Sequence, residues 1–359
     1  MTLTSLAATA ALPRLADFDT VIDARSESEF AEDHLPGAVN WPTLTDEERV
    51  ATGTTYKQVN AFEAKKRGAA LAARNIARHI ERDVIDKPKS WAPLLYCWRG
   101  GKRSGSLALI LDQIGFKVTL IEGGYKAFRA ALVDDIPRLV SAINWRVICG
   151  TTGSGKTRLL QALAAQGAQV LDLEDLANHR SSVLGAIPGV AQPTQKRFDT
   201  LVWDQLRGFD IARSVFVESE SKKVGNVAVP TSLIEAMRQS TCLNLVLSNA
   251  ERVLLLMEDY DFFVQNGEHF CERLEALVAS RGKAVVTQWQ SNVRAGNIAP
   301  VVQSLLTLHY DPVYLQSMRR NFKGFDETAS ASITPTDRSH SAMAVLAREV
   351  LAGQYLAGK

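Results

Sequence analysis

The stretch CGTTGSGKT, at residues 149–157, restricts the fold of this chain more than any other part of the sequence. From Gly150 onward it fits the pattern G-x-x-x-x-G-K-S/T, in which glycines let backbone amides wrap a diphosphate. Such a loop works only between a strand and a helix. The apolar run Arg146–Cys149 predicts the strand, and Thr157–Gln166, followed by Gly167, predicts the helix. This arrangement indicates a parallel α/β sheet that carries a phosphate-binding loop.

The side chains of this loop predict how it would hold a diphosphate. Lys156 would neutralise the outer oxygens, and the Thr157 hydroxyl can ligate Mg²⁺. A metal-binding acid is expected at the end of a neighbouring strand, where Glu218 is the better candidate and Asp172 the alternative. Either is also explained as a solvated strand end, and the metal ligand stays open. The predicted diphosphate-binding residues are Gly150, Thr151, Thr152, Gly153, Ser154, Gly155, Lys156 and Thr157.

A second loop, LLYCWRGGKRSGS at residues 94–106, places one cysteine between an apolar strand and a helix. Successive backbone N–H groups and the N-terminus of the helix favour a negative charge at this position. Three cationic side chains add to this effect, so we expect a thiolate beside a binding site for an oxyanion. The alternative is an inert buried cysteine, which would have no use for the glycines. The predicted site consists of Cys97 as nucleophile, surrounded by Trp98, Arg99, Gly100, Gly101, Lys102, Arg103 and Ser104.

Two classes of enzyme use a loop of this kind. Cys97-x5-Arg103-Ser104 fits cysteine phosphatases, in which the arginine holds phosphate through two hydrogen bonds. It also fits rhodanese-type transferases, in which the cysteine carries sulfur or selenium. The segments VIDARSESEFAEDHLPGAVNWP (21–42) and VTLIEGGYKAFRA (118–130) resemble the rhodanese family, and Tyr96 replaces the usual phosphatase histidine. The transferase is therefore favoured, and His34 is interpreted as structural rather than as a catalytic base.

Composition excludes several other classes of protein. The chain has 359 residues, of which 46% are hydrophobic and 22% charged, as in soluble globular proteins of two domains. A net charge of +2 is compatible with an RNA partner without indicating one. The four cysteines have no C-x-x-C spacing, which argues against zinc and favours a reducing, cytoplasmic setting. Neither a signal peptide nor a membrane span is expected, because the N-terminus lacks a basic segment and no apolar run approaches ~18–20 residues.

The order of the segments predicts two domains. Residues 1–135 form a rhodanese-like domain with a helical insertion around 43–90, and residues 136–359 form a P-loop domain with a C-terminal helical region. The expected boundary is at Asp134–Pro137, because proline ends a helix and the paired charges favour solvent. The tail from 342 to 356 is predicted to be helical.

The combination of CWRGG-x-RS with a P-loop further along the chain resembles the bacterial tRNA 2-selenouridine synthase family. One departure is Lys102, where that family usually has methionine; the additional cation could shift the preference for the donor. The similarity covers nearly the whole chain and includes TDEERVATGTTYKQ (45–58), HRSSVLG (179–185), QPTQKRF (192–198), VFVESESKKVG (215–225) and HYDPVY (309–314).

This resemblance implies that 2-thiouridine at wobble position 34 of tRNA becomes 2-selenouridine. Geranyl diphosphate would geranylate the sulfur at the P-loop, and selenophosphate would supply selenium through a selanyl adduct on Cys97 as phosphate leaves. No tightly bound cofactor is implied beyond Mg²⁺ as a candidate ion, and the oligomeric state stays open. Lys222–Lys223, Arg281–Lys283 and Arg319–Lys323 are candidate contacts for tRNA, although such short clusters are usually solvated surface.

Two alternatives remain. The first is a rhodanese-type sulfurtransferase fused to an ATP-dependent kinase or ATPase, in which the P-loop binds ATP. The second is a non-catalytic RNA-binding module with a degenerate rhodanese domain. The intact cysteine and the intact P-loop argue against the second alternative.

Overall fold

The computed structural model describes residues 3–325 and 331–355 of the chain. Packing divides the chain into two compact units, one of Met1–Arg138 with Pro193–Asp204, the other of Leu139–Gln192 with Gln205–Lys359. Each unit is built on a five-stranded parallel sheet with helices, which confirms the predicted α/β fold. The predicted domain boundary between residues 135 and 136 stays a prediction.

The sheet of the first unit carries the cysteine loop at the end of its central strand. Its strands are β1 (Thr4–Ala7), β2 (Thr20–Asp23), β3 (Ala38–Asn40), β4 (Pro93–Tyr96) and β5 (Thr119–Glu122). They pair in the order β1-β5-β4-β2-β3, with all neighbours parallel. Parallel strands that are covered by helices on both faces consist of continuous apolar residues, because both of their faces are buried. Accordingly, every residue of β4 is buried.

The helices of the first unit include the predicted insertion. They are α1 (Ala8–Ala11), α2 (Glu27–Glu32), α3 (Asp46–Gln58), α4 (Ala61–His79), α5 (Lys102–Ile114) and α6 (Gly124–Ala142). Thr45 and Glu48 form a capping box at the start of α3, and the Asn60 side chain caps α4, which explains where both helices begin. The expectation that Pro137 ends a helix is wrong, because α6 continues through it. The missing N–H costs one backbone hydrogen bond, which a long helix tolerates when its other turns are packed.

A helix from the middle of the chain also belongs to the first unit. Most of α9 (Gln195–Gly208) lies within the segment Pro193–Asp204. Its Trp203 ring meets Phe128 edge to face, with 5.7 Å between the centroids, and its Thr200 hydroxyl donates to Asp33 over 3.0 Å. The sequence did not predict this placement, because helical periodicity shows which face is apolar but not what covers it.

The sheet of the second unit carries the P-loop, also at the end of its central strand. Its strands are β6 (Asn144–Cys149), β7 (Gln169–Leu171), β8 (Ser214–Glu218), β11 (Thr241–Leu245) and β12 (Ala331–Ile333), in the order β12-β11-β6-β8-β7. All neighbours are parallel, and the register of β6 and β8 places Ile148 opposite Glu218. The short strands β9 (Lys223–Val224) and β10 (Val227–Ala228) form a separate antiparallel pair.

Helices surround this sheet and continue into a helical region. Those nearest the sheet are α7 (Lys156–Ala165), α8 (Leu173–Ala177), α10 (Thr231–Gln239) and α18 (His340–Leu351). Leu356, the end of the predicted tail helix, lies outside the described residues. Among the residues described, no helix has the length and apolar character that a membrane span requires. The helical region comprises α11 (Asn249–Asp259), α12 (Asp261–Gln265), α13 (Gly267–Leu274), α14 (Val278–Arg281), α15 (Lys283–Arg294), α16 (Ile298–Leu305) and α17 (Asp311–Asn321).

Candidate active sites

The cysteine loop connects β4 to α5 and holds the Cys97 sulfur between two hydrogen-bond donors. The backbone N–H of Gly101 and the hydroxyl of Ser104 each donate to Sγ over 3.2 Å. The residue is only 3% exposed, so water competes little for the sulfur. The two hydrogen bonds hold Sγ in place at the start of α5.

The closing segment of the first unit fixes the shape of this loop. The backbone N–H groups of Tyr125 and Lys126 donate to the carbonyl oxygens of Cys97 and Trp98 over 2.8 and 3.0 Å. Gly124 makes this approach possible, because a Cβ there would lie 2.2 Å from the Cys97 carbonyl oxygen. Its φ of +58° is also in the left-handed region that favours glycine.

The three cations predicted around the sulfur differ in their surroundings. Arg99 and Lys102 are exposed, whereas the Arg103 guanidinium forms an ion pair with Glu29 at 2.6 Å. Burial opposes ionisation of Glu29, but hydrogen bonds and positive charge from Arg103, together with Ser26, hold its pKa below the ordinary value. Glu29 therefore partly neutralises the positive charge of Arg103, and the sequence did not predict this ion pair.

Behind the loop, a buried polar network joins β2 and β4 to α6. Arg25 pairs with Asp23 at 2.6 Å, and its guanidinium lies 4.0 Å from the ring centroid of Tyr125. The Tyr125 hydroxyl donates to Asp33 over 2.7 Å, and the Tyr125 ring stacks on Trp98.

His34 stacks on the Phe30 ring, and its Nδ1 lies 2.9 Å from the Phe30 carbonyl oxygen. This arrangement agrees with the interpretation of His34 as a structural residue.

The P-loop connects β6 to α7 and depends on glycine at three positions. Gly150, Gly153 and Gly155 have φ values of 154°, 77° and 89°. A Cβ at Gly150 would lie 2.4 Å from the Ser154 hydroxyl oxygen and 2.7 Å from the Leu245 carbonyl oxygen. The backbone of the loop can therefore follow this path only with glycine at these points.

Two side chains from elsewhere in the second unit engage the P-loop. The Gly150 N–H donates to the Tyr314 hydroxyl over 2.7 Å, and the Tyr314 ring centroid lies 5.5 Å from Lys156 Nζ. Lys156 itself donates to the Gly150 carbonyl oxygen over 2.8 Å. Arg252 of α11 donates to the Thr152 carbonyl oxygen. Tyr314 and Arg252 were missed by the sequence reasoning, although Tyr314 lies in the segment HYDPVY.

Three carboxylates converge beside the P-loop. Oxygen atoms of Glu174, Glu218 and Glu220 all lie within 4.8 Å of one another, and the Thr157 hydroxyl donates to Glu174 over 3.2 Å. The structure thus places Glu218 in a cluster, as a metal-binding acid requires. Asp172 is not part of it, because its carboxylate caps α8 by accepting from the Asp175 N–H. Glu174 and Glu220 were not predicted.

The three carboxylates of this cluster repel one another when they are ionised. Burial, followed by the neighbouring acids, raises the pKa of Glu218 well above its ordinary value and that of Glu220 to about 8. Burial raises the pKa of Glu174 to about 7, against the positive charge of Lys156. Glu218 Oε1 is buried and has no hydrogen-bond partner within residues 3–325 and 331–355. A Mg²⁺ ion fits this site, since it would satisfy that oxygen and offset the repulsion.

The cationic side chains that were predicted to contact tRNA also differ in their surroundings. Lys222 and Arg320 line one cavity of about 420 Å³, together with Arg238 and Tyr314. Arg281 instead donates to the His309 ring over 2.9 Å. The cavity that contains Lys222 therefore gathers cations near the P-loop, because Tyr314 contacts both.

Comparison with known proteins decides the family. A model of the tRNA 2-selenouridine synthase AAA domain matches residues 143–277, and a model of the rhodanese-like domain matches residues 7–131. A tRNA 2-selenouridine synthase of Nitrosomonas europaea is 38% identical over 275 residues, which cover 75% of this chain and 70% of that protein. The chain belongs to the tRNA 2-selenouridine synthase family. The synthase of Nitrosomonas eutropha is 32% identical, over 86% of this chain and 92% of that protein. The synthase of Cupriavidus necator is 31% identical, over 92% of this chain and 99% of that protein.

Substitution of Gly124 should test how the cysteine loop of this family member is held. Gly124→Ala is expected to lower the free energy of unfolding by about 1–3 kcal/mol, because the new Cβ meets backbone atoms at a left-handed φ. Alkylation of Cys97 by iodoacetamide, followed by peptide mass spectrometry, should also proceed at an altered rate. Gly105→Ala is the control, since no heavy atom lies within 4 Å of its Cβ position. Equal stability and equal alkylation in both variants would show that the close approach is unimportant.

The carboxylate cluster predicts a response to Mg²⁺. An ion that binds only the folded protein stabilises it, so Mg²⁺ should raise the unfolding temperature of the wild-type chain. Glu218→Gln should remove most of this increase, whereas Glu235→Gln, on the exposed face of α10, should keep it. Scanning fluorimetry with and without Mg²⁺ measures the difference. Increases of the same size in both variants would contradict a metal site at Glu218.

Proposed function

We propose that this chain converts 2-thiouridine at the wobble position of tRNA into 2-selenouridine through an S-geranylated intermediate. The observation that carries the proposal is the presence in one chain of two different anion-binding loops. One holds a sulfur that accepts two hydrogen bonds, and the other is a P-loop beside buried carboxylates. Relatives over most of the chain are named tRNA 2-selenouridine synthase, which supports tRNA as the substrate.

The P-loop suits the geranylation step. The thiocarbonyl sulfur attacks C1 of geranyl diphosphate, the C1–O bond breaks, and diphosphate leaves with the bonding pair. The base loses its N3 proton to solvent and stays neutral. Lys156 and backbone amides of the P-loop would stabilise the negative charge that grows on the leaving group. Mg²⁺ held by Glu174, Glu218 and Glu220 would supply further positive charge there. The Lys156 ammonium already lies at this loop, on the Gly150 carbonyl oxygen.

Geranylation matters because it gives sulfur a way to leave. After selenium adds to the ring carbon, an unalkylated sulfur would have to leave as doubly charged sulfide unless it is first protonated, whereas an alkylated sulfur leaves as a singly charged thiolate. An S-geranyl group departs as thiogeraniol once selenium has added to that carbon. The two loops would therefore act in sequence, the P-loop first and the cysteine loop second.

The cysteine loop suits selenophosphate, which is a phosphate with one oxygen replaced by selenium. Backbone N–H groups, the start of α5, and the exposed Arg99 and Lys102 provide a positive environment for such an anion. The role of Cys97 in carrying selenium depends on which atom keeps the electron pair of the P–Se bond when that bond breaks. A Cys–S–Se⁻ adduct would leave phosphorus with the bonding pair, as phosphite. A second thiol would then have to reduce the S–Se bond, forming a disulfide with Cys97 as selenium leaves as selenide. Release of phosphate instead requires water at phosphorus and keeps selenium as selenide throughout.

The selanyl adduct on Cys97 is therefore a prediction with a defined product. Incubation of the purified protein with selenophosphate, without tRNA, should give a Cys97 peptide that carries selenium, together with phosphite in the ³¹P spectrum. Cys271→Ser is the control and should load selenium normally. An unmodified Cys97 peptide and phosphate as the only product would contradict the adduct, and selenium would then reach the base as selenide.

The cavity beside Tyr314 supports a place for the RNA. Lys222, Arg238 and Arg320 line it, and Glu220 and Tyr314 connect it to the P-loop. Phosphate groups of a tRNA loop would bind such cations without sequence specificity. A base that enters from this side would arrive next to the diphosphate.

The proposal predicts that the two half-reactions can be separated by single substitutions. Lys156→Ala should reduce geranylation of thiolated tRNA by roughly a few hundredfold, because one electrostatic contact to the leaving group typically contributes about 3–4 kcal/mol. Cys97→Ser should abolish 2-selenouridine and accumulate S-geranylated tRNA, whereas Cys242→Ser and Cys271→Ser should retain selenation. Mass spectrometry of wobble nucleosides measures each product.

Pre-geranylated tRNA provides the decisive control for this experiment. It should rescue Lys156→Ala, because the P-loop step has been bypassed, and should leave Cys97→Ser inactive. If neither variant geranylates tRNA, or if Lys156→Ala also fails on pre-geranylated tRNA, the division of labour between the loops is wrong.

A further inference from the structure

An apolar pocket with a volume of about 50 Å³ lies in the helical region of the second unit. Ligand pockets in proteins usually have volumes of about 300–1,000 Å³, so a chain that enters this pocket must move the side chains that line it. Helices α11, α12, α13 and α16 and the π-helical turn Leu306–Tyr310 form most of its wall. Among the residues that line this apolar pocket are Leu256, Tyr260, Phe263, Val302, Leu306 and Tyr310.

The apolar pocket adjoins the P-loop directly. Thr152, the third residue of the P-loop motif, is itself part of the lining. Leu256, which also lines the pocket, packs so closely on Gly153 that a Cβ there would lie 2.9 Å from the leucine side chain. Arg252, one turn before Leu256 on α11, holds the Thr152 carbonyl oxygen and pairs with Asp311. A ligand with its phosphates on the loop can therefore extend a tail into the pocket.

The chemistry of the lining restricts what this tail can be. The side chains are almost all hydrocarbon, and the polar groups of the lining are the hydroxyls of Thr152, Ser182, Tyr260 and Tyr310. A nucleoside carries a ribose and a base with several hydrogen-bonding groups, each of which loses water on burial and needs a partner. A hydrocarbon chain has no such requirement and gains from leaving water.

We propose that the apolar pocket binds the hydrocarbon chain of a prenyl diphosphate whose diphosphate group occupies the P-loop. This assignment rests on the proposed function and extends it, since it locates the part of the substrate that distinguishes geranyl diphosphate from ATP. It also gives the helical region from α11 to α16 a role in selecting the substrate. Leu256 and Thr152 would mark the point at which the chain meets the diphosphate.

The wild-type protein provides the first test, through the length of the chain. Each buried carbon adds favourable transfer free energy, so geranyl diphosphate should bind on the order of 10²-fold more tightly than dimethylallyl diphosphate, which is five carbons shorter. Inorganic pyrophosphate, which has no chain, should bind more weakly still. Titration calorimetry in the presence of Mg²⁺ measures all three. Equal affinities for the three ligands would overturn the assignment.

A substitution that fills the pocket provides the second test. Val302→Phe should weaken geranyl diphosphate binding by roughly 10- to 100-fold and leave pyrophosphate binding unchanged, because only the space for the chain is reduced. Val345→Phe, on the exposed face of α18, is the matched control and should bind both ligands as the wild type does. Retained pyrophosphate binding shows that Val302→Phe is folded. Unchanged geranyl diphosphate affinity in that folded variant would overturn the assignment.

The same measurements separate this inference from the proposed function. If the wild-type protein geranylates tRNA but shows no dependence on chain length, the pocket assignment is wrong and the proposed function stands. If the protein shows chain-length-dependent binding but never geranylates tRNA, the pocket is confirmed and the proposed function fails. Tighter binding of ATP than of geranyl diphosphate, weakened by Val302→Phe, would assign the pocket to a nucleotide instead.

Discussion

The parallel pairing of β6 with β8 determines what surrounds the P-loop. In a parallel sheet the carboxyl ends of neighbouring strands lie at one edge, so the loop after β6 and the last residue of β8 are placed side by side. The register puts Ile148 opposite Glu218, and the chain that follows Glu218 brings Ser219 and Glu220 to the same edge. The metal candidate, the contact of Ser219 with Tyr314, and the cationic cavity all depend on this register.

The cysteine loop is built on the same principle but is held in a different way. Here β4 ends at Tyr96, and the loop is closed by backbone hydrogen bonds from the start of α6 rather than by side chains. Such bonds require two segments of main chain to approach without a Cβ between them, which is why Gly124 is needed. The loop backbone thereby places the sulfur where the Gly101 N–H and the Ser104 hydroxyl both donate to it.

These differences explain how much of the protein could be predicted from its sequence. Both loops, Cys97, Lys156 and the central strands follow from local patterns of glycine, charge and apolar runs. Glu174, Glu220 and Tyr314 do not, because their roles arise from positions that the sheet and the helices bring together over long stretches of chain. The ion pair of Arg103 with Glu29 and the packing of α9 in the first unit have the same origin. Asp172 shows the reverse case, a plausible strand-end acid that instead caps the next helix.

The two loops are also opposite in charge balance, and this difference bears on what each can bind. Around Cys97 the exposed Arg99 and Lys102 leave a positive surface, so a small anion can be held there directly. At the P-loop, the positive charge of Lys156 lies near three buried or partly buried glutamates. Once those acids ionise, their combined negative charge would repel an anion that binds alone. A ligand at the P-loop must therefore arrive with a cation, as diphosphates do with Mg²⁺, or contribute enough apolar burial to overcome the repulsion. The proposed prenyl diphosphate with Mg²⁺ would satisfy both conditions, whereas the proposed selenium donor, small and without a chain, would match the cysteine loop.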